Sequence, residues 1–189
     1  MAKIAVVNFG SRFFQYFQGI VQDAGLEFVE IDWHSAVKDI EQLKPIGIIL
    51  SGSPWGVYEQ GAPTTDVLAL SKVAPVLGVC YGAQLIAYTL GGRVDKAEKG
   101  ETGQTPIKFF DSALFDSIKK DNTTYMCHND RVYQLPDGFK VTSSTTDCPY
   151  ASFENAKINL YATQFHPEAD EVCGKEILNN FFVICNKGE

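Results

Sequence analysis

Nucleophilic catalysis needs a nucleophile, a base beside it and a group to orient that base. The best-placed nucleophile in this chain is Cys80, in Pro75-Val76-Leu77-Gly78-Val79-Cys80-Tyr81-Gly82-Ala83-Gln84. A short apolar run leads into it and a helical pattern starts immediately after it. Gly78 and Gly82 flank it as G-x-C-x-G, the cysteine form of a nucleophile elbow, in which a tight strand-to-helix turn holds the reactive residue in a strained backbone. A helix beginning at Tyr81 favours a thiolate through its dipole. Its free amides, that of Tyr81 first, point where an oxyanion would form. The competing reading is a buried core cysteine in a strand-helix turn.

Three histidines are candidates for the base. His166 lies in Leu160-Tyr161-Ala162-Thr163-Gln164-Phe165-His166-Pro167-Glu168, where a strand pattern delivers it to a strand end. Pro167 favours an extended backbone at His166. Residues two apart then face the same way, so Glu168 is expected beside the imidazole as its orienting carboxylate. A surface His-Pro-Glu turn is the alternative, and Cys80 tips the balance against it. His34 reads as a helix-end or surface histidine. Cys127 and His128 are adjacent and, on a strand, face opposite ways, so they pair poorly as nucleophile and base. No C-x-x-C or H-x-x-x-H spacing is present, and no metal site is expected. The loop Ser51-Gly52-Ser53-Pro54-Trp55-Gly56 lacks the Gly-Lys-Ser/Thr ending of a phosphate loop. At a strand's end beside the elbow, it is placed to offer backbone N–H groups to an oxyanion.

These residues need a scaffold that brings strand ends together. Apolar runs at Ile4–Val7, Leu26–Ile31, Ile46–Leu50 and Val76–Val79 alternate with helical patterns. The helices are expected from Ser11 as N-cap to Gly25, over 35–43 and 64–73, and from Tyr81 to Leu90. This alternation predicts an α/β fold with a doubly wound, mostly parallel central sheet and helices on both faces. From about Thr105 to Phe165, β-like runs separated by turns predict an antiparallel extension of the same sheet. A last helix is expected over Gly174–Cys185. No repeat or linker divides the chain, so a single domain over 1–189 is expected.

The 189 residues are 45% hydrophobic, enough for one sizeable core. The formal net charge of -7 argues against a nucleic-acid partner. No apolar run is long enough for a membrane span, and the N-terminus does not read as a signal peptide. The five cysteines are odd in number and irregularly spaced, so no disulfide framework is implied and a reducing cytoplasm is expected.

Taken together, the motifs resemble those of the class I (triad) glutamine amidotransferases. Gly78–Gln84 is similar to the nucleophile motif, Gln164–Glu168 to the His-Glu motif, and Leu50–Pro54 to the oxyanion loop. They occur in family order and span nearly the whole chain. The resemblance implies glutamine as substrate, a Cys80-His166-Glu168 triad, and an oxyanion hole from the amides of Ser53 and Tyr81. It also implies a substrate grip from Gly52, Gln84, Cys127, His128, Asn129 and Asp130. Within the family, the likeness is greatest to the amidotransferase part of GMP synthetases. Asn8–Ser11, Val57–Pro63, Cys80–Gly82, His128–Val132, Leu135–Phe139 and the last helix from Gly174 to Phe181 carry it. Ser53, Ala83, Cys127 and Asn129 depart from the family's usual glycine, methionine, serine and glycine, and Ala169-Asp170 is also atypical.

That likeness implies a separate ATP-pyrophosphatase subunit or domain as partner. This chain has no Ser-Gly-Gly-x-Asp-Ser loop or other ATP motif, so no cofactor is expected here and ATP and magnesium are expected only on the partner. An amidotransferase serving another acceptor, such as chorismate, a non-catalytic glutamine-sensing scaffold and a γ-glutamyl peptide hydrolase remain open.

Overall fold

A strand covered on both faces has no wet side, so its sequence is continuously apolar. Three of the predicted runs form such strands in the computed structural model, which describes residues 1–187. The chain runs β1 (Lys3–Asn8), α1 (Phe14–Asp23), β2 (Glu27–Asp32), α2 (Val37–Gln42), β3 (Gly47–Leu50), α3 (Val67–Val73) and β4 (Val76–Val79). It continues through α4 (Tyr81–Thr89), β5 (Arg93–Phe109), β6 (Asp121–Gln134), β7 (Lys140–Ser144), β8 (Ser152–Asn155), β9 (Leu160–Thr163) and α5 (Gly174–Asn186).

Among the described residues, nine strands form one sheet in the order β2-β1-β3-β4-β9-β8-β7-β5-β6. The pairs from β2 across to β9 are parallel, and those from β9 out to β6 are antiparallel. Side-chain alternation along β1 divides the core between the two faces. Ile4 and Val6 join Phe17, Val21, Ile177 and Phe181 of α1 and α5. Ala5 and Val7 join Ile40, Leu70 and Ile86 of α2, α3 and α4. The parallel sheet, its helices and the antiparallel extension are thus as the sequence predicts.

Several boundaries differ. α1 begins at Phe14 rather than after Ser11, because the Ser11 hydroxyl accepts the Phe13 amide (3.2 Å) and closes a separate turn first. α3 begins at Val67, where the Asp66 carboxylate caps the Ala69 amide (2.9 Å), instead of at Thr64. The extension starts at Arg93, not Thr105. Asp95, Lys96, Glu98, Lys99 and Glu101 hide that stretch of β5 from a hydrophobic pattern, and pairing with β6 holds it, with a register shift between Lys96 and Glu101. β9 belongs to the parallel half through β4, and only its other side is antiparallel. No helix among the described residues is long and apolar enough to cross a membrane.

Candidate active site

β4 and β9 end side by side at one rim of the sheet, and the two halves of the site ride on them. Cys80 follows β4 with φ 53° and ψ -103°, a conformation that L-residues avoid. Its amide donates to the Thr163 carbonyl at the end of β9 (2.8 Å), and its own carbonyl accepts from Gln84 in the first turn of α4 (3.0 Å). The flanking glycines are there for space. A Cβ on Gly82 would stand 2.3 Å from the Leu50 carbonyl oxygen, and one on Gly78 would stand 2.5 Å from the Gly82 backbone. α4 therefore starts pressed against the end of β3, and the Gly82 amide donates to the Ser51 carbonyl (3.2 Å). The Ser51 hydroxyl accepts from the Phe9 amide (2.9 Å), so β1, β3 and the elbow meet at one residue.

His166 follows β9. Its amide donates to the Tyr125 carbonyl on the outer edge of β6 (2.9 Å), and its Nδ1 contacts Glu168 Oε1 (2.8 Å). The pairing is the expected one, but its geometry is not extended: Pro167–Ala169 is a single 3-10 turn that swings Glu168 back beneath the ring. Phe13 stands edge-on to the imidazole, with ring centroids 4.8 Å apart. His166 is 3% exposed. Burial opposes its charge, but the Glu168 carboxylate, then the Cys80 sulfur by charge and hydrogen bonding, outweigh it and hold the imidazole pKa well above its ordinary value. Cys80 and His166 thus line one cavity, and Glu168 holds the Nδ1 side of the imidazole.

In front of the sulfur lies a cavity of about 440 Å³, lined by Ser11, Phe13, Ser53, Trp55, Cys80, Gln84, Thr102, residues 127–130 and His166. Ser53 is on the wall, with its hydroxyl accepting the Trp55 amide (3.3 Å). Tyr81 supplies the first amide of α4, while its buried ring sends its hydroxyl away to the Pro63 carbonyl. Burial, then the charge of Glu59, pushes that phenol up to about 12. Gly52 is not on the wall: it backs His166, where a Cβ would sit 3.2 Å from imidazole Cε1. Gln84 gives its Nε2 to the Asp130 carbonyl (2.9 Å) and to Gln164 Oε1 (3.1 Å), which leaves its own oxygen to accept from a ligand. The Cys127 carbonyl lies 3.8 Å from the Cys80 sulfur. Asn129 is exposed at the rim. The Asp130 carboxylate, raised in pKa by its burial, accepts from the Tyr58 hydroxyl (3.2 Å).

His128 reaches the cavity wall, but both its ring nitrogens are engaged elsewhere. Nδ1 meets the Asp130 carbonyl (2.9 Å) and Nε2 meets Glu101 Oε2 (3.0 Å). A carbonyl only accepts, so Nδ1 turns its hydrogen to Asp130, and Nε2 faces the Glu101 carboxylate. Thr145 donates to the other Glu101 oxygen (2.7 Å). His128 is thus part of a buried brace behind the 127–130 segment, and a direct grip on substrate is not its place. Glu101, His128 and Cys148 also set three potential ligand atoms within 4.8 Å of one another, a grouping that the spacing rules do not pick out. Hydrogen bonds already account for two of the three.

Phe13, Glu101 and Gln164 are the site residues that the sequence reading passes over. Phe13 and Glu101 have no motif to mark them. Gln164 stands inside the His-Glu motif, and its burial in front of β9 is the missing signal.

The chain matches the family model described as glutamine amidotransferase class-I over residues 5–185. It is 39% identical to a GMP synthase [glutamine-hydrolyzing] of Aquifex aeolicus over 188 residues, covering 98% of this chain and 37% of that protein. It is 40% identical to one of Lactococcus lactis, with the same two coverages of 98% and 37%. The chain therefore spans little more than a third of these relatives. A Thermoplasma acidophilum protein assigned as a GMP synthase subunit superposes with a TM-score of 0.84 at 27% identity, covering 99% of this chain and 95% of that one. A glutamine amidotransferase of Thermotoga maritima shares the fold, with a TM-score of 0.73 at 16% identity over 99% of this chain and 83% of that one.

Proposed function

The chain belongs to the class-I glutamine amidotransferase family, and on that premise we propose that it hydrolyses glutamine at Cys80 and supplies the ammonia to a synthetase that aminates XMP to GMP. The observation that carries the chemistry is the imidazole of His166, oriented by Glu168 at 2.8 Å and lining the same cavity as the sulfur of a strained elbow.

The Cys80 thiolate attacks the side-chain carboxamide carbon of glutamine. The carbonyl oxygen becomes an oxyanion facing the amides of Ser53 and Tyr81, which lower the barrier as preorganised donors. When the tetrahedral intermediate collapses, the carbon–nitrogen bond breaks and His166 protonates the departing ammonia. A glutamyl thioester remains. His166, now neutral, takes a proton from water as it attacks the thioester, and glutamate and the thiolate are released. The Gln84 oxygen and the Asp130 carboxylate favour the substrate's ammonium end, and the backbone of the Cys127–Asn129 stretch lines the same wall.

The GMP assignment draws on the likeness in sequence to GMP synthases and in structure to a GMP synthase subunit. The ATP and magnesium of the amination belong to the synthetase, and both reactions belong to the cytoplasm. Labelling with diazo-oxo-norleucine and mapping the modified residue tests the nucleophile: Cys80 is the expected site. Cys80→Ala should lower glutaminase turnover by at least about a thousandfold, in line with losing a covalent nucleophile. Glutaminase activity retained in that variant would falsify the assignment. Mixed with a GMP synthetase subunit, XMP, ATP and glutamine, the chain should yield GMP, and alone it should not. Amination of a different acceptor by a different synthase would redirect the pathway assignment and leave the glutaminase intact.

A further inference from the structure

Gln164 is 1% exposed and ends in direct contact with the reactive sulfur. Its Nε2 lies 3.5 Å from Cys80 Sγ. Its Oε1 accepts from Gln84 Nε2 (3.1 Å), and the same Gln84 nitrogen donates to the Asp130 carbonyl (2.9 Å). The chemistry of the three groups fixes both amide orientations. A backbone carbonyl only accepts, so Gln84 turns its nitrogen toward Asp130. The second hydrogen on that nitrogen needs an acceptor, so Gln164 answers with its oxygen. The Gln164 nitrogen is then left facing sulfur.

We propose that Gln164 is a catalytic hydrogen-bond donor to the Cys80 sulfur, aimed by a chain that runs from the Asp130 carbonyl through Gln84. The proposal rests on Cys80 being the nucleophile. An N–H donor is held more strongly by an anionic acceptor than by a neutral one, and more so where water is excluded. Gln164 therefore favours the thiolate before attack. It favours the same thiolate as leaving group when water cleaves the thioester, whose neutral sulfur accepts weakly. His166 serves the reaction by moving a proton between water and the leaving ammonia, whereas Gln164 serves the sulfur without exchanging one. The chain also joins the sulfur to the 127–130 wall of the cavity, so a shift of that wall changes the aim of the donor.

Alkylation of Cys80 by iodoacetamide, quantified by peptide mapping across a pH series without glutamine, tests this. It reads the sulfur and not turnover. An unchanged labelling profile in the Gln164 variants therefore overturns the donor, while labelled Cys80 in a chain that does not hydrolyse glutamine overturns the proposed function alone. Cys148, Cys173 and Cys185 stay silent at neutral pH, since burial, the largest cause for each, pushes these thiols up to about 12. Gln164→Leu removes the donor and should slow Cys80 labelling at pH 7 roughly tenfold, the low end for a bond to a charged group, with the labelling profile displaced to higher pH. The near-isosteric Gln164→Glu sets a carboxylate against the sulfur and should displace it further. Gln84→Met keeps the donor but loses its aim, and should give a smaller displacement in the same direction. Circular dichroism identifies the folded variants, and each folded variant decides the matter by itself: a profile that overlays the parent's overturns the proposal. Should both Gln164 variants fail to fold, the Gln84→Met profile decides.

Discussion

At the scale of single residues, Cys80 is held where a side chain is unwelcome. Its φ of 53° with ψ of -103° costs about 1–3 kcal/mol for any residue with a Cβ, and glycine escapes most of that cost. Two variants that lack the sulfur should therefore rank against the usual order. Cys80→Gly should be more stable than Cys80→Ala by about 1 kcal/mol, a difference of roughly 2–4 °C in melting temperature for a chain of this size. Thermal denaturation of the pair checks it, and the opposite ranking would mean the elbow is relaxed. The His166–Glu168 pair has a pH signature. The imidazole's folded pKa lies above the unfolded value of about 6.5. The stabilisation is then complete below about pH 6.5 and is lost as pH rises through the folded value. Glu168→Gln should cost about 3 kcal/mol at pH 6, the low end for removing one partner of a buried pair, and progressively less toward pH 9. Urea melts at the two ends of that range measure the difference, and a cost that grows with pH would contradict the pairing.

At the scale of elements, the elbow is a packing constraint as much as a chemical one. Gly82→Ala would drive a methyl to 2.3 Å from the Leu50 carbonyl oxygen, and backbone cannot rotate away as a side chain can. A loss of about 3 kcal/mol or more is expected, with glutaminase activity falling even in protein that remains folded. A chemical denaturation curve matching the parent would refute the crowding. The loop after Glu168 is fixed by Asp170, whose carboxylate accepts from Gln104 (3.0 Å), from Thr124 (3.4 Å) and from the Val172 and Cys173 amides (3.2 and 3.3 Å). That explains its burial, and Asp170→Ala should destabilise by about 2–3 kcal/mol by orphaning several of those donors, measurable by thermal or urea melts. Much of this is legible in sequence where local rules act. The G-x-C-x-G spacing exposes the elbow because its two glycines lie within five residues of each other, although only the crowding at Gly78 is local and that at Gly82 comes from Leu50. Glu168 is found beside His166 for an imperfect reason, since residues two apart meet through a 3-10 turn as well as along a strand. The first part of β5 is illegible because cross-strand pairing with β6, not burial, makes it a strand. The Glu101–His128 brace is illegible because its partners lie 27 residues apart with no pattern to join them.

At the scale of the whole molecule, the site lies where the sheet changes character. β9 is parallel to β4 on one side and antiparallel to β8 on the other, so the strand that delivers His166 is the seam between the two halves. Cys80 thus comes from the parallel half, His166 from the seam, and the far cavity wall from β6 at the end of the antiparallel half.

β6 is the terminal strand of the sheet, 14 residues long, and a strand of that length with an open side is a template for pairing with a second chain. The His166 amide occupies the Tyr125 carbonyl on that side, and the proposed reaction centre fills the space beside Cys127. The turn that carries His166 is therefore also a stopper against self-association, and lesions that unseat it endanger solubility as well as the proposed turnover.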